Sequence, residues 1–270
     1  MHIDQVEFTI FDTETTGLDF ACGERLVEIA GARFKADTVI AKFDSLVNSG
    51  KAVSAKAFAV NKISPEMLQG APGMEKVIPE FLRFSENSCL ASYNTNFDLG
   101  FLNNELTLLN LPLAKSNQAV DILTLARNVL PGLPRYALWF VAERLGIKNN
   151  QQHRAYADVE LTLQVFMKLK SIVLDSGLSD FNDFFRLALS GNQFKPALAE
   201  KRMDFLKAAV ESKRKIFIEY LSAQNNQITQ RQIIPRLLRR DGACDYLVAY
   251  CFLKQQEVIF KVENILKFSY

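Results

Sequence analysis

Two carboxylates, Asp12 and Glu14, stand two residues apart in the run Thr9-Ile10-Phe11-Asp12-Thr13-Glu14-Thr15-Thr16-Gly17-Leu18. Val6, Phe8 and Ile10 before them alternate as in an apolar strand. Residues i and i+2 of a strand point to one face, so both acids fall side by side at the end of a core strand. Like charges so placed repel and raise one another's pKa unless a cation offsets them. Hard oxygen donors favour Mg²⁺ or Mn²⁺ in that role. On this motif alone, a polar turn after a strand is an equally good reading.

Two more acids stand at comparable places. Asp98 lies in Ser92-Tyr93-Asn94-Thr95-Asn96-Phe97-Asp98-Leu99-Gly100-Phe101-Leu102, where Asn94 or Thr95 can cap a helix. Steps of four and three put Asp98 on one row with Leu102, Leu106 and Leu109. A carboxylate on a core-facing row is costly without a partner; a surface Asp favoured by the helix dipole is the plainer alternative. Asp158 repeats the pattern, early in a helix whose apolar row is Leu161, Val165, Leu169 and Ile172. His153 precedes it, just after the polar stretch 149–152, which reads as a loop. The ordinary pKa of histidine lets it accept a proton near neutrality. Four carboxylates from one strand end and two helix starts could converge in a cleft and hold two divalent cations, roughly 3.5–4 Å apart in such sites. With a histidine base, that is the apparatus for hydrolysing a phosphodiester.

The elements that must position these groups follow from periodicity. Strands are expected over 6–12, 25–34 and 38–47, the last two as a hairpin turning at Ala36-Asp37. Helices are expected over 55–61, from Pro65, and over 74–85, then a buried strand over 89–93. Helices follow over 96–109, 121–130, 135–145 and 155–174. Strand–helix alternation after a meander indicates an α/β domain with a mixed sheet. Residues 176–200 read as a linker with a helix over 181–189. Beyond it a helix over 203–210 precedes strands over 215–220, 228–238, 245–253 and 257–262, with turn signals at Asn225-Asn226 and Asp241-Gly242. This is the pattern of a small antiparallel barrel or sheet. The domains are thus expected at 1–175 and 201–270.

The three segments Phe11-Asp12-Thr13-Glu14-Thr15-Thr16-Gly17-Leu18, Asn94-x-x-Phe97-Asp98-x-x-Phe101-Leu102 and His153-x4-Asp158 resemble the motifs of the DEDDh-type 3′→5′ exonucleases, a family that includes the proofreading subunit of the bacterial replicative polymerase. The resemblance covers roughly residues 5–175. It implies a ribonuclease-H-like mixed sheet flanked by helices, two Mg²⁺ or Mn²⁺ ions, and release of nucleoside 5′-monophosphates from a 3′ end. It implies metal ligation by Asp12, Glu14, Asp98 and Asp158, with His153 as general base. Thr13, Thr16, Leu18, Asn94 and Phe97 would contact the terminal nucleotide. Two positions depart from the family: Tyr93 replaces a frequent histidine, and Asn61-Lys62-Ile63-Ser64 replaces a frequent His-Gly-Ile-Thr. Residues 203–270 resemble a WYL domain, a small Sm-like β-barrel, through Ala208-Ala209-Val210, Ile216-x-Ile218-x-Tyr220, Arg231-x-x-x-Pro235, Tyr246-Leu247-Val248-Ala249-Tyr250 and Phe260. WYL domains resemble binders or sensors of nucleic acid and nucleotides, which makes Arg231, Arg236, Arg239 and Arg240 the candidate contacts. Aspartate stands at the naming tryptophan (Asp245), and two arginines common in the family read Val258 and Asn264.

Composition fits these readings. With 49% hydrophobic residues in 270, the chain can bury sizeable cores. Four scattered cysteines and two histidines offer neither a disulfide framework nor a zinc site, so a reducing cytoplasm is expected. No apolar run of membrane-spanning length and no basic-then-apolar leader is present, so no membrane partner is expected. The net charge of +2 hides an asymmetry, because residues 201–240 hold ten Lys/Arg against three Asp/Glu. A basic back and an acidic front suit a polyanion-attracting module joined to an acid-lined site. The expected partner is nucleic acid, DNA first, with RNA or short oligoribonucleotides as the neighbouring alternative. Any polymerase or repair partner is left open. From another class, a nucleic-acid-binding regulator with an inactive nuclease fold is the competing reading.

Overall fold

The computed structural model describes residues 1–112, 119–148, 153–189, 195–222, 227–242 and 244–269, with side chains of the last helix described from Arg202 onward. The expected loop over 149–152 and the Asn225-Asn226 turn lie outside the described residues. The chain separates into two compact units, Met1–Leu123 with Lys148–Phe166 and Thr124–Ile147 with Met167–Tyr270.

The first unit is built on a mixed sheet of β1 (Glu7–Thr15), β2 (Leu26–Lys35), β3 (Thr38–Leu46), β4 (Cys89–Ser92) and β5 (Ala119–Asp121), in the order β3-β2-β1-β4-β5. β1 runs antiparallel to β2 and parallel to β4, and β4 runs parallel to β5. β1 extends past the expected end at Asp12, because Thr13, Glu14 and Thr15 stay paired with Ile29, Glu28 and Leu26 of β2. The two acids therefore sit in the ladder itself and not in a turn.

Alternation along β1 assigns its two faces. Phe8 and Ile10 share a face with Asp12 and Glu14, and Phe8 packs with Phe34 of β2 and Phe166 at ring separations of 5.5 and 5.1 Å. Phe166 belongs to the long helix α7 (Ala155–Asp175), so α7 covers the face that carries the acids. Thr9, Phe11, Thr13 and Thr15 point to the other face. There Phe11 joins a core with Val77, Ile78 and Phe81 of α3 (Met74–Phe84) and Leu99, Leu102 and Leu106 of α4 (Thr95–Leu108). Gly31, paired with Phe11, has no room for a side chain, since a Cβ there would meet Phe84 Cε1 at 2.9 Å. Two short helices, α1 (Ala55–Asn61) and α2 (Pro65–Gln69), lie between β3 and α3. Each is capped by a serine hydroxyl, Ser54 on Ala57 N and Ser64 on Met67 N.

After β5 come α5 (Ile122–Val129) and α6 (Leu138–Arg144), and beyond α7 come α8 (Phe181–Leu189) and α9 (Lys195–Ser212). The stretch expected as a linker thus holds α8 and the start of α9. Asn128 Nδ2 donates to Leu187 O of α8 at 2.7 Å. A second, all-antiparallel sheet follows: β6 (Ile216–Leu221), β7 (Ile228–Asp241), β8 (Cys244–Cys251), β9 (Gln256–Lys261) and β10 (Ile265–Ser269), in the order β10-β6-β7-β8-β9. Among the described residues no β9–β10 pairing closes it into a barrel. Leu206 and Ala209 of α9 pack on its inner face against Ile216, Ile233, Leu247 and Phe260. Pro235 sits in the middle of this sheet at a register shift before Leu237, where a bulge absorbs its missing donor.

Candidate active site at the end of the central strand

The site forms where β1 and β4 end, the place at which open α/β sheets receive ligands. Asp12, Glu14 and Asp158 each offer a carboxylate oxygen within 4.8 Å of the others. The first two come from one face of β1, the third from the opening turn of the helix that covers that face. Asp98 arrives from the opposite face, on the first turn of α4. Its Oδ1 accepts from Thr13 N at 3.1 Å and Thr13 Oγ1 at 2.8 Å. Thr13, between the two acids in sequence but across the sheet from them, is the link that brings α4 to the cluster.

The expected cap of α4 is corrected by the structure. Asn94 occupies the capping position without a capping bond from its side chain, and Thr95 turns its hydroxyl to Val120 O of β5 at 3.1 Å. The start of α4 is thereby fastened to the neighbouring strand. Further along, buried Glu105 accepts from Arg25 Nε and Nη2 at 2.8 and 2.6 Å and from Leu26 N at 3.2 Å, fixing α4 to the start of β2.

Electrostatics define what this cluster requires. Burial raises the Asp12 carboxyl well above the usual carboxylate range, and the charges of Asp98, Glu14, Asp158 and Glu28 push it further. Glu14 is pushed up to about 8, first by burial, then by Asp158 and Glu28, with a hydrogen bond from Asn61 pulling the other way. Burial lifts Asp98 to about 7 against the hydrogen bonds it receives from Thr13 and Ser92. Two charges at the spacing of these oxygens repel by roughly 3–4 kcal/mol at an effective dielectric constant near 20. Such a cluster must take up protons or cations. An all-carboxylate donor set fits hard divalent cations.

His153 lies beside the cluster, its Nδ1 3.9 Å from Asp158 Oδ2 and its side chain 52% exposed. Its backbone is left-handed (φ 51°). The expected nucleotide contacts divide. Thr13, Leu18 and Phe97 line a cavity of about 460 Å³ with Glu14, Gly17 and, from α1, Ala57, Val60 and Asn61. Leu18 is 87% exposed at its mouth. Thr16 is fully buried and serves the turn after β1, where its hydroxyl bonds Glu24 and accepts from Arg25 N. Asn94 is exposed and does not line the cavity.

Three further residues belong to the site: Asn61, which the sequence marked only as a departure from the family segment, and Glu28 and Arg154, which sequence reasoning did not single out. Asn61 is buried, bonds Glu14, donates from Nδ2 to Thr15 O and accepts from Ile63 N. Glu28 and Arg154 form an ion pair at 2.6 Å beside Glu14. A lone acid inside the apolar run Leu26-Val27-Glu28-Ile29-Ala30 was the available signal for Glu28. In the second unit the four expected arginines do not share a face. Arg231 turns inward, over the Phe260 ring at 6.0 Å, with Nε donating to Thr229 Oγ1. Arg239 stacks outside on Tyr246 at 5.8 Å, while Arg240 stands 4.0 Å from Asp245 and Arg236 is exposed.

Residues 9–166 match the family model for exonucleases, and residues 202–269 match that of the WYL domain. The chain belongs to the exonuclease family, a divalent-metal-dependent class of nucleases, and carries a C-terminal WYL domain. It is similar to the DNA polymerase III subunit epsilon of Treponema pallidum, 36% identical over 166 residues that make up 60% of this chain and 76% of that protein. It is also similar to the PolC-type DNA polymerase III of Streptococcus pneumoniae, 28% identical over 240 residues; there the match spans 88% of this chain but only 16% of the relative. Among solved structures, exonuclease I aligns with a TM-score of 0.57 at 17% identity, over 91% of this chain and 55% of that one. Exonuclease X, solved with a 5′-overhanging duplex DNA, aligns at 0.50 and 22% identity, over 66% and 99%. These structural likenesses establish the ribonuclease-H-like fold.

Proposed function

We propose that this chain is a 3′→5′ exonuclease that hydrolyses phosphodiester bonds from the 3′ end of DNA, single strands preferred, and releases nucleoside 5′-monophosphates in the cytoplasm. The observation that carries this reading is the convergence of Asp12, Glu14 and Asp158 oxygens within 4.8 Å, with Asp98 joined through Thr13 and His153 at the rim. Asp12, Glu14, Asp158 and Asp98 would hold two Mg²⁺ or Mn²⁺ ions. When bound, such ions supply Lewis acidity toward water and toward the phosphate oxygens. His153 takes the proton of the attacking water at Nε2, since Nδ1 is the nitrogen nearest Asp158. The cavity walled by Leu18, Val60 and Phe97 receives the terminal sugar and base, and its apolar lining holds them without reading sequence. The WYL domain binds nucleic acid through exposed arginines and aromatic rings, as sequence-independent binders do. Relatedness to a polymerase III epsilon subunit makes a polymerase a candidate partner.

The test is a time course on end-labelled DNA and RNA oligonucleotides, single-stranded and duplex, with Mg²⁺, Mn²⁺ or chelator. Mononucleotides should appear from the 3′ end of single-stranded DNA first, and only with a divalent cation. Asp12→Ala should abolish their release and leave the fold intact; undiminished activity in that variant would overturn the proposed centre.

A further inference from the structure

Glu28 is 1% exposed and lies on β2 directly opposite Glu14, on the face of the sheet that carries Asp12 and is covered by α7 with Asp158. A fifth acid in this place, itself buried, adds to the repulsion on Asp12 and Glu14, so packing alone does not account for it. Its carboxylate is fully committed. It accepts from Arg154 Nη2 at 2.6 Å, from Arg154 Nε at 3.1 Å and from Ala155 N at 3.0 Å. Those donors occupy a telling stretch of chain. Arg154 directly follows His153, Ala155 opens α7, and Asp158 N donates to Arg154 O at 3.0 Å. The same junction is held from β3, where Lys42 lies 5.0 Å from the centroid of the Tyr156 ring and 3.4 Å from Glu160.

We propose that the Glu28–Arg154 pair is a positioning device that sets both His153 and Asp158 against Asp12 and Glu14. The inference rests on the nuclease reading of the site. A two-pronged arginine–carboxylate bond fixes direction as well as distance, and the third bond, to Ala155 N, ties down the start of α7. The helix turn that presents Asp158 and the residue that presents His153 are thereby referenced to the strand next to Glu14. Neither Glu28 nor Arg154 is assigned contact with substrate.

The experiment compares the full chain with Arg154→Met, Arg154→Lys, Glu28→Gln and the Glu28→Gln/Arg154→Met double variant, after thermal unfolding has confirmed that each folds. Mn²⁺ affinity, measured by titration calorimetry, is a readout independent of turnover. Removing a nearby positive charge should by electrostatics alone tighten Mn²⁺ binding to Arg154→Met. Loss of positioning predicts the opposite sign, a weakening of about tenfold or more, as for other residues that orient metal ligands. Unchanged or tighter binding would overturn the proposal. On single-stranded DNA, kcat should fall about 10- to 100-fold with KM within about twofold, and the double variant should lose no more than either single one. A kcat within about twofold of the parent, or losses that multiply, would overturn it. If Arg154→Met does not fold, Arg154→Lys, which keeps the charge but not the fork, is read by the same criteria. A parent chain that neither binds Mn²⁺ nor cleaves removes the nuclease reading itself; an active parent with undisturbed variants removes only this inference.

Discussion

Glu14 and Asp98 titrate at about 8 and about 7 in the folded chain, against ordinary values of 4.5 and 3.8. Both shifts are upward, so between these limits the folded state keeps protons that the unfolded state has released. Stability is then fully present below the ordinary values and is lost as pH rises through the folded ones. In chelator, the unfolding temperature should therefore fall between about pH 5 and pH 8.5. A divalent cation should restore it, with a larger gain at the alkaline end. Scanning calorimetry across that range, with chelator and with Mn²⁺, checks the sign; a flat profile in chelator would contradict it. The acids themselves were legible in the sequence, because strand and helix periods place Asp12 with Glu14 and align Asp98 and Asp158 with apolar rows. Glu28 and Arg154 were not. They stand far apart in the chain, and only the β1–β2 register brings Glu28 beside Glu14.

Secondary structure positions these residues through aromatic packing. Phe166 of α7 meets Phe8 and Phe34 at 5.1 and 5.4 Å, holding the helix that presents Asp158 against the face that presents Asp12. Phe166→Ala should cost about 3–5 kcal/mol, read as a lower urea midpoint at unchanged slope. Elements with a clear cap or an apolar face matched their expected bounds, as with serine-capped α1 over Ala55–Asn61 and α8 over Phe181–Leu189, which buries Phe184, Leu187 and Ala188. Others were hidden for physical reasons. β5 has only three residues, Ala119–Asp121. β10 follows β9 through a single tight turn, Val262–Asn264, which holds no glycine or proline. α9 begins at Lys195, well before the apolar residues that announced it, because its opening turns carry no apolar periodicity.

Across the whole molecule, positive charge gathers in the C-terminal third. Lys215 lies 4.4 Å from the centroid of the Phe252 ring and Arg239 stacks on Tyr246, pairings suited to phosphates and stacked bases. In the Asp12→Ala background, affinity for a fluorescent single-stranded oligonucleotide should fall as salt rises. Replacing Arg236, Arg239 and Arg240 by alanine should flatten the log–log slope by about 2. An unchanged slope would place the strand elsewhere.

Helix α7 runs unbroken from Ala155 to Asp175, yet its residues up to Phe166 belong to one compact unit and those from Met167 to the other. Near its end, Asp175 Oδ2 receives Lys267 Nζ of β10 at 2.6 Å. The exonuclease family match also stops at residue 166. A protein truncated there would end in mid-helix and lose buried Leu169 and Val173. Subcloning at that seam would yield a frayed fragment, and its inactivity would say nothing about the chemistry of Asp158.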